Sequence, residues 1–149
     1  MTPTLFGRWQ TRLFLLATVG ALITWLFADG IVGRHPSSDY WWVLVYVGVL
    51  GMVWDVLYHF LMQLFWDHDW PGILQFAAAI VEGVFLGGLF YFVGLPPYVP
   101  PSHFSPFFFV THYSLVWISI YCFSWTGMRL LFPHWRYRGG EWIGPWPKA

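Results

Sequence analysis

Trp54-Asp55-Val56-Leu57-Tyr58-His59-Phe60-Leu61-Met62-Gln63 decides how this chain is read. The stretch lies inside an apolar run long enough to cross a membrane, yet it holds a carboxylate and an imidazole four residues apart. That spacing puts Asp55 and His59 on one face of a helix, extended by Met52 and Gln63. An acid within hydrocarbon is costly without a partner, so it marks a candidate site.

The surrounding composition fits a membrane. The chain has 149 residues, 58% hydrophobic, 23% aromatic and 9% charged, against about 25% charged in ordinary soluble domains. So little charge cannot cover a water-facing surface. Net charge is zero, which argues against a nucleic-acid partner. The single cysteine, Cys122, excludes an internal disulfide and a cysteine zinc knuckle.

Four runs reach the length of about 20 apolar residues that a membrane helix needs. They cover residues 13–32, 40–65, 72–93 and 106–132. The expected fold is all-α: a single polytopic domain over 1–149, four transmembrane helices in an antiparallel bundle. No small-residue cleavage site follows the first run, so it reads as a retained helix. It has small residues at Ala17, Gly20 and Ala21, and no ionisable group in its middle. It reads as an anchor and packing surface. The third run is rich in small residues, with Gly83 and Gly87 in a G-x-x-x-G spacing, and reads as a central helix. The short Trp66–Pro71 turn implies that the second and third helices form a tight hairpin. The fourth run starts at Ser105-Pro106 and carries His112, Ser119 and Thr126 at intervals of seven.

Basic residues set the orientation. Arg8 and Arg12 precede the first run; Arg129, Arg136, Arg138 and Lys148 lie at the other end of the chain. The positive-inside rule then places both termini in the cytoplasm of a plasma (inner) membrane. The mixed basic and aromatic tail after Pro133 suits a membrane surface, with Arg136 and Arg138 as candidate contacts to lipid headgroups.

Depth at about 1.5 Å per residue brings Asp55 and Glu82 to similar levels near the midplane. His59 lies about one turn away and His112 about 9 Å in from the opposite side. Asp55, His59, Glu82 and His112 thus form a candidate polar cluster. Two carboxylates and two imidazoles are also a ligand set for a transition metal. A haem or pigment fits less well, because His59 and His112 differ in depth by roughly 10 Å. The same gap argues against all four holding one ion. The plain alternative is a neutralised polar network with a protonated Glu82. His68 between Asp67 and Asp69 reads as a solvated turn, and His35 with His103 as a weak loop pair.

Three functions compete. The first is an accessory subunit of a larger inner-membrane, energy-converting complex, with lipid, other membrane subunits or a second copy as partners. The second is an intramembrane metal-dependent enzyme or redox protein using the cluster. The third is a proton-coupled carrier acting as an oligomer, with Asp55 and Glu82 as its proton-binding acids. Nucleotide, zincin and serine-hydrolase motifs are missing, so no reaction class is assigned.

Overall fold

The computed structural model describes residues 4–33, 36–64, 71–94 and 105–143, the side chain of Arg136 excepted. These residues are helical and turn-like throughout. Four helices are long and apolar enough to cross a membrane. They are α1 (Leu5–Ala28), α2 (Asp39–Gln63), α3 (Gly72–Phe92) and α4 (Pro106–Trp125); the fourth span is completed by the short α5 (Gly127–Leu131). A 3-10 turn, Trp135–Arg138, leads into the tail.

The later helices start and stop within about two residues of the apolar runs. The first does not: it begins at Leu5, eight residues before the expected start at Leu13. Its cap explains this. Thr4 is extended at φ −73° and ψ 155°, and its hydroxyl accepts a hydrogen bond from the Gly7 amide at 3.0 Å. Arg8 and Arg12 therefore lie inside a helix, four residues apart on one face. They are not a basic flank. A π-helical turn over Leu16–Gly20 interrupts α1, and such turns often accompany functional sites.

The hub of the bundle is α1, which packs on both α2 and α4. The expectation of a central third helix is corrected. Helix α3 rests mainly on α4 and touches α2 only lightly, leaving Ile73, Ile80, Val84 and Phe92 exposed. Its small residues serve a different purpose from close backbone approach: they make room for rings. Added Cβ atoms at Gly83 and Gly87 would strike the Tyr113 and Phe109 rings, and one at Gly72 would meet Tyr121 and Trp125.

Those rings belong to a ladder along α4: Phe109, Tyr113, Trp117, Tyr121 and Trp125, one every fourth residue. Phe109 stacks on Tyr113 at 5.7 Å and Trp117 on Tyr121 at 5.1 Å. At one end of the bundle, Phe109, Phe90, Leu86 and Val43 pack into an apolar core. A second cluster, Leu16, Leu44 and Val116, sits beside the π turn.

The tail is clasped to the start of α1. Thr4 N–H donates to Gly139 O at 2.8 Å, and Thr4 Oγ1 donates to Glu141 at 2.7 Å. Thr11 Oγ1 donates to Gly140 O at 3.0 Å and accepts from Trp135 Nε1 at 2.9 Å. Gly139 and Gly140 both have positive φ, 61° and 90°, and Gly7 faces them so closely that any Cβ there would overlap Gly139 O. The start of α1 and the described part of the tail thus lie side by side.

Candidate functional site

The centre of the site is Arg12. Its guanidinium forks onto Asp55, with Nε donating to Oδ2 at 2.8 Å and Nη2 to Oδ1 at 2.9 Å. The same group reaches Glu82 from Nη1 at 3.1 Å and from Nη2 at 3.4 Å. One cation therefore ties α1, α2 and α3 together. Bidentate geometry is what the planar guanidinium offers and an ammonium does not. Gly51, one turn before Asp55, admits the group: a Cβ there would overlap Arg12 Nη1.

The two acids are not equivalent. Asp55 holds the paired, shorter bonds and its side chain is 5% exposed, against 11% for Glu82 and 21% for Arg12. The Tyr58 hydroxyl is within hydrogen-bonding reach of Glu82. Tyr113, beside it, donates to Ala79 O at 2.8 Å. Arg8, one turn before Arg12, places Nη2 at 3.6 Å from Met62 Sδ and lies within electrostatic range of Asp55. Two guanidiniums thus face two carboxylates, which is the condition for keeping charge in a low-dielectric interior.

The cluster is open on one side. Arg12, Asp55 and Glu82 form the floor of a cavity of about 380 Å³, within the range of about 300–1,000 Å³ typical of ligand pockets. Its other lining residues come from all four long helices, including Val47, Tyr58, Ala78, Tyr113, Trp117 and Trp125. Trp135 and Gly140 of the clasped tail lie at its rim, with Arg129.

The four residues singled out by spacing divide into three locations. Asp55 and Glu82 meet on Arg12. His59 lies outside the cavity; its Nε2 is 3.5 Å from Gln63 Nε2, and its Nδ1 has no partner among the described residues. The shared face of Asp55 and His59 is real, but Arg12 takes the carboxylate. His112 is buried elsewhere, with Nε2 at 3.0 Å from Thr24 Oγ1 and its ring against Phe27 and Tyr40. The expected single cluster is therefore replaced by an ion cluster and two separate imidazoles. Among the described residues no three histidine, cysteine or acidic side chains converge as a metal set.

The tail with the candidate headgroup contacts Arg136 and Arg138 is attached to the bundle by its backbone, and the side chain of Arg136 lies outside the described part. Arg138 is half-buried, and Phe132 and Trp142 pack on Phe14. The Trp66–Trp70 turn with His68, the Pro-rich loop, His35 and His103 lie outside the described residues.

Two features escape a reading by apolar runs. Arg12 reads as a flank, although Thr4 and the i, i+4 pair with Arg8 signal a helix that has already begun. The aromatic ladder was hidden by the abundance of aromatics; its spacing of four over five positions is the signal. No known protein family, curated protein or solved structure matches this chain.

Proposed function

We propose that this chain is a multi-pass plasma-membrane protein that binds an amphiphile, with the polar end of the ligand received by Arg12 and Glu82. The observation that carries this reading is the cavity whose floor is the ion cluster. Asp55 anchors the guanidinium from behind. Glu82 and Arg12 keep exposed edges toward the cavity, so a bound polar group has a donor and an acceptor to engage.

In this reading the helices run antiparallel and both termini are cytoplasmic. Arg129, Arg136, Arg138 and Lys148 on the terminal side support that orientation. Arg12 does not contribute, because its charge is consumed inside the bundle.

The test is retention of ligand by purified protein. Wild-type protein in mild detergent should carry an amphiphile, identified by mass spectrometry after solvent extraction. Ala78→Phe, one turn before Glu82, puts a ring into the cavity and should empty it, with a melting temperature checking that the bundle still folds. Equal amphiphile content in the two proteins would sink the proposal.

A second reading, the proton-coupled carrier, is supported by one detail: Glu82 shares Arg12 with Asp55 and lines the cavity. Protonation of Glu82 would loosen its hold on Arg12 and leave the Asp55 fork intact. The accessory-subunit reading draws support from the exposed apolar faces of α2 and α3. Lipid covers such faces equally well, so it ranks below.

A further inference from the structure

The floor of the cavity has hydrogen-bonding capacity left over. Arg12 makes four bonds, two to Asp55 and two to Glu82. A guanidinium carries five N–H groups, so at least one, on Nη1, has no partner among the described residues. Glu82 accepts two of those bonds, and the Tyr58 hydroxyl is within reach of it. A carboxylate has about four acceptor positions, so Glu82 keeps one as well. Arg12 and Glu82 both line the cavity. The space therefore meets a spare donor beside a spare acceptor.

Water satisfies such a pair, and a ligand that displaces water must reproduce both bonds. A carboxylate or phosphate accepts from Arg12 but sets like charge against Glu82. An ammonium opposes Arg12 in the same way. An ether or ketone oxygen accepts and leaves the Glu82 acceptor unmet. A hydroxyl accepts and donates through one neutral atom. The walls specify what bears it. Tyr58, Tyr113, Trp117, Trp125 and Trp135 line the space. Three of them belong to the α4 ladder, and Gly83, next to Glu82, leaves room for Tyr113. Such walls attract a flat ring by offset or edge stacking.

We infer that the ligand is a lipophilic aromatic alcohol, a phenol or hydroquinone with a hydrocarbon tail. Its hydroxyl accepts from Arg12 and donates to Glu82. Its ring lies along Tyr113 and Trp117, and its tail follows Leu16, Val116 and Ile120. The inference rests on the amphiphile reading above and names the chemistry of the polar end. A phenol is neutral at physiological pH, as tyrosine is, so it brings no charge to the floor.

The test is native mass spectrometry of the full chain in detergent, titrated with para-dodecylphenol, para-dodecylanisole, para-dodecylbenzoate and dodecanol. The phenol should bind about tenfold or more tightly than the anisole, because the methyl ether leaves the Glu82 acceptor unpaired. It should also exceed the benzoate, and exceed dodecanol several-fold through ring stacking. Glu82→Gln should raise benzoate affinity and narrow the gap between phenol and anisole, a pattern that partial unfolding does not produce. Trp117→Leu should erase the advantage over dodecanol and keep the advantage over the anisole. Equal binding of phenol and anisole would overturn the hydroxyl, and tighter binding of the benzoate would overturn a neutral polar end. Dodecanol bound as tightly as the phenol would overturn the ring. If none of the four binds, the aromatic alcohol is wrong. An extracted amphiphile lost only from Ala78→Phe then leaves the amphiphile reading standing, and equal content in the two proteins removes that reading too.

Discussion

The bundle contains two buried polar sites built on opposite terms. Arg12, Asp55 and Glu82 are charged, join three helices and border a cavity. Thr24 and His112 are joined by one short contact, enclosed by Phe27 and Tyr40, and His112 is 1% exposed. The neutral pair needs only a partner and a dry shell. The ionic cluster needs balanced charge, a gap at Gly51 to admit it, and a polar space on one side. The difference separates a polar contact enclosed by packing from one that borders a cavity.

Arg12→Met breaks the comparison most severely. It strands two carboxylates and should cost roughly 3–5 kcal/mol, the usual effect of removing one member of a buried ion pair. Reversible unfolding in mixed micelles measures it. The triple change Arg12→Met, Asp55→Asn, Glu82→Gln should recover most of that stability and still bind no ligand. Recovery of binding with stability would mean that the charges serve only packing.

Gly51→Ala leaves every charge in place and removes the space for the guanidinium. Overpacking of this kind costs about 1–3 kcal/mol. Because Arg12 must move, ligand retention should fall along with the melting temperature. A melting temperature at the wild-type value would show that the fit between Gly51 and Arg12 is looser than described.

Thr24→Val addresses the other site. It keeps shape, removes the hydroxyl partner of His112, and should cost about 1–2 kcal/mol. Ligand binding should not change. A binding defect would join the two sites and end the distinction between them.

Glu82→Gln is the mildest change. An amide oxygen still accepts from Arg12, so stability should fall by less than about 1 kcal/mol. Ligand affinity should nonetheless shift, because the charge facing the cavity changes by one. A large stability loss with unchanged affinity would reverse the roles assigned to Asp55 and Glu82.

The four spans were legible because each is a long apolar run bounded by polar or proline-rich sequence. The start of α1 was not. Arginine before an apolar run reads as a flank, and only Thr4 with the Arg8/Arg12 spacing signals otherwise. The comparable depth of Asp55 and Glu82 follows from counting residues, but depth along a helix does not give rotation about it. Rotation is what joins both acids to Arg12 and turns His59 and His112 elsewhere. The glycines of α3 signal a close neighbour, and the sequence does not say whether it is a backbone or a ring. The ladder on α4 answers that, and it becomes visible only when aromatics are read by spacing instead of by number.

The separation of the ion partners along the chain sets a timetable for membrane insertion. Arg12 precedes Asp55 by 43 positions and Glu82 by 70. If the helices enter a bilayer in chain order, the first would arrive with Arg12 not yet joined to either acid. Its long side chain stays at the interface while the apolar turns from Leu13 onward hold the segment in place. Each acid then arrives on a later helix and relieves part of that charge. In that order Gly139–Glu141 would be the last to meet Thr4, fastening the start of α1 to the tail. The helix made first would then be the last to be fully seated.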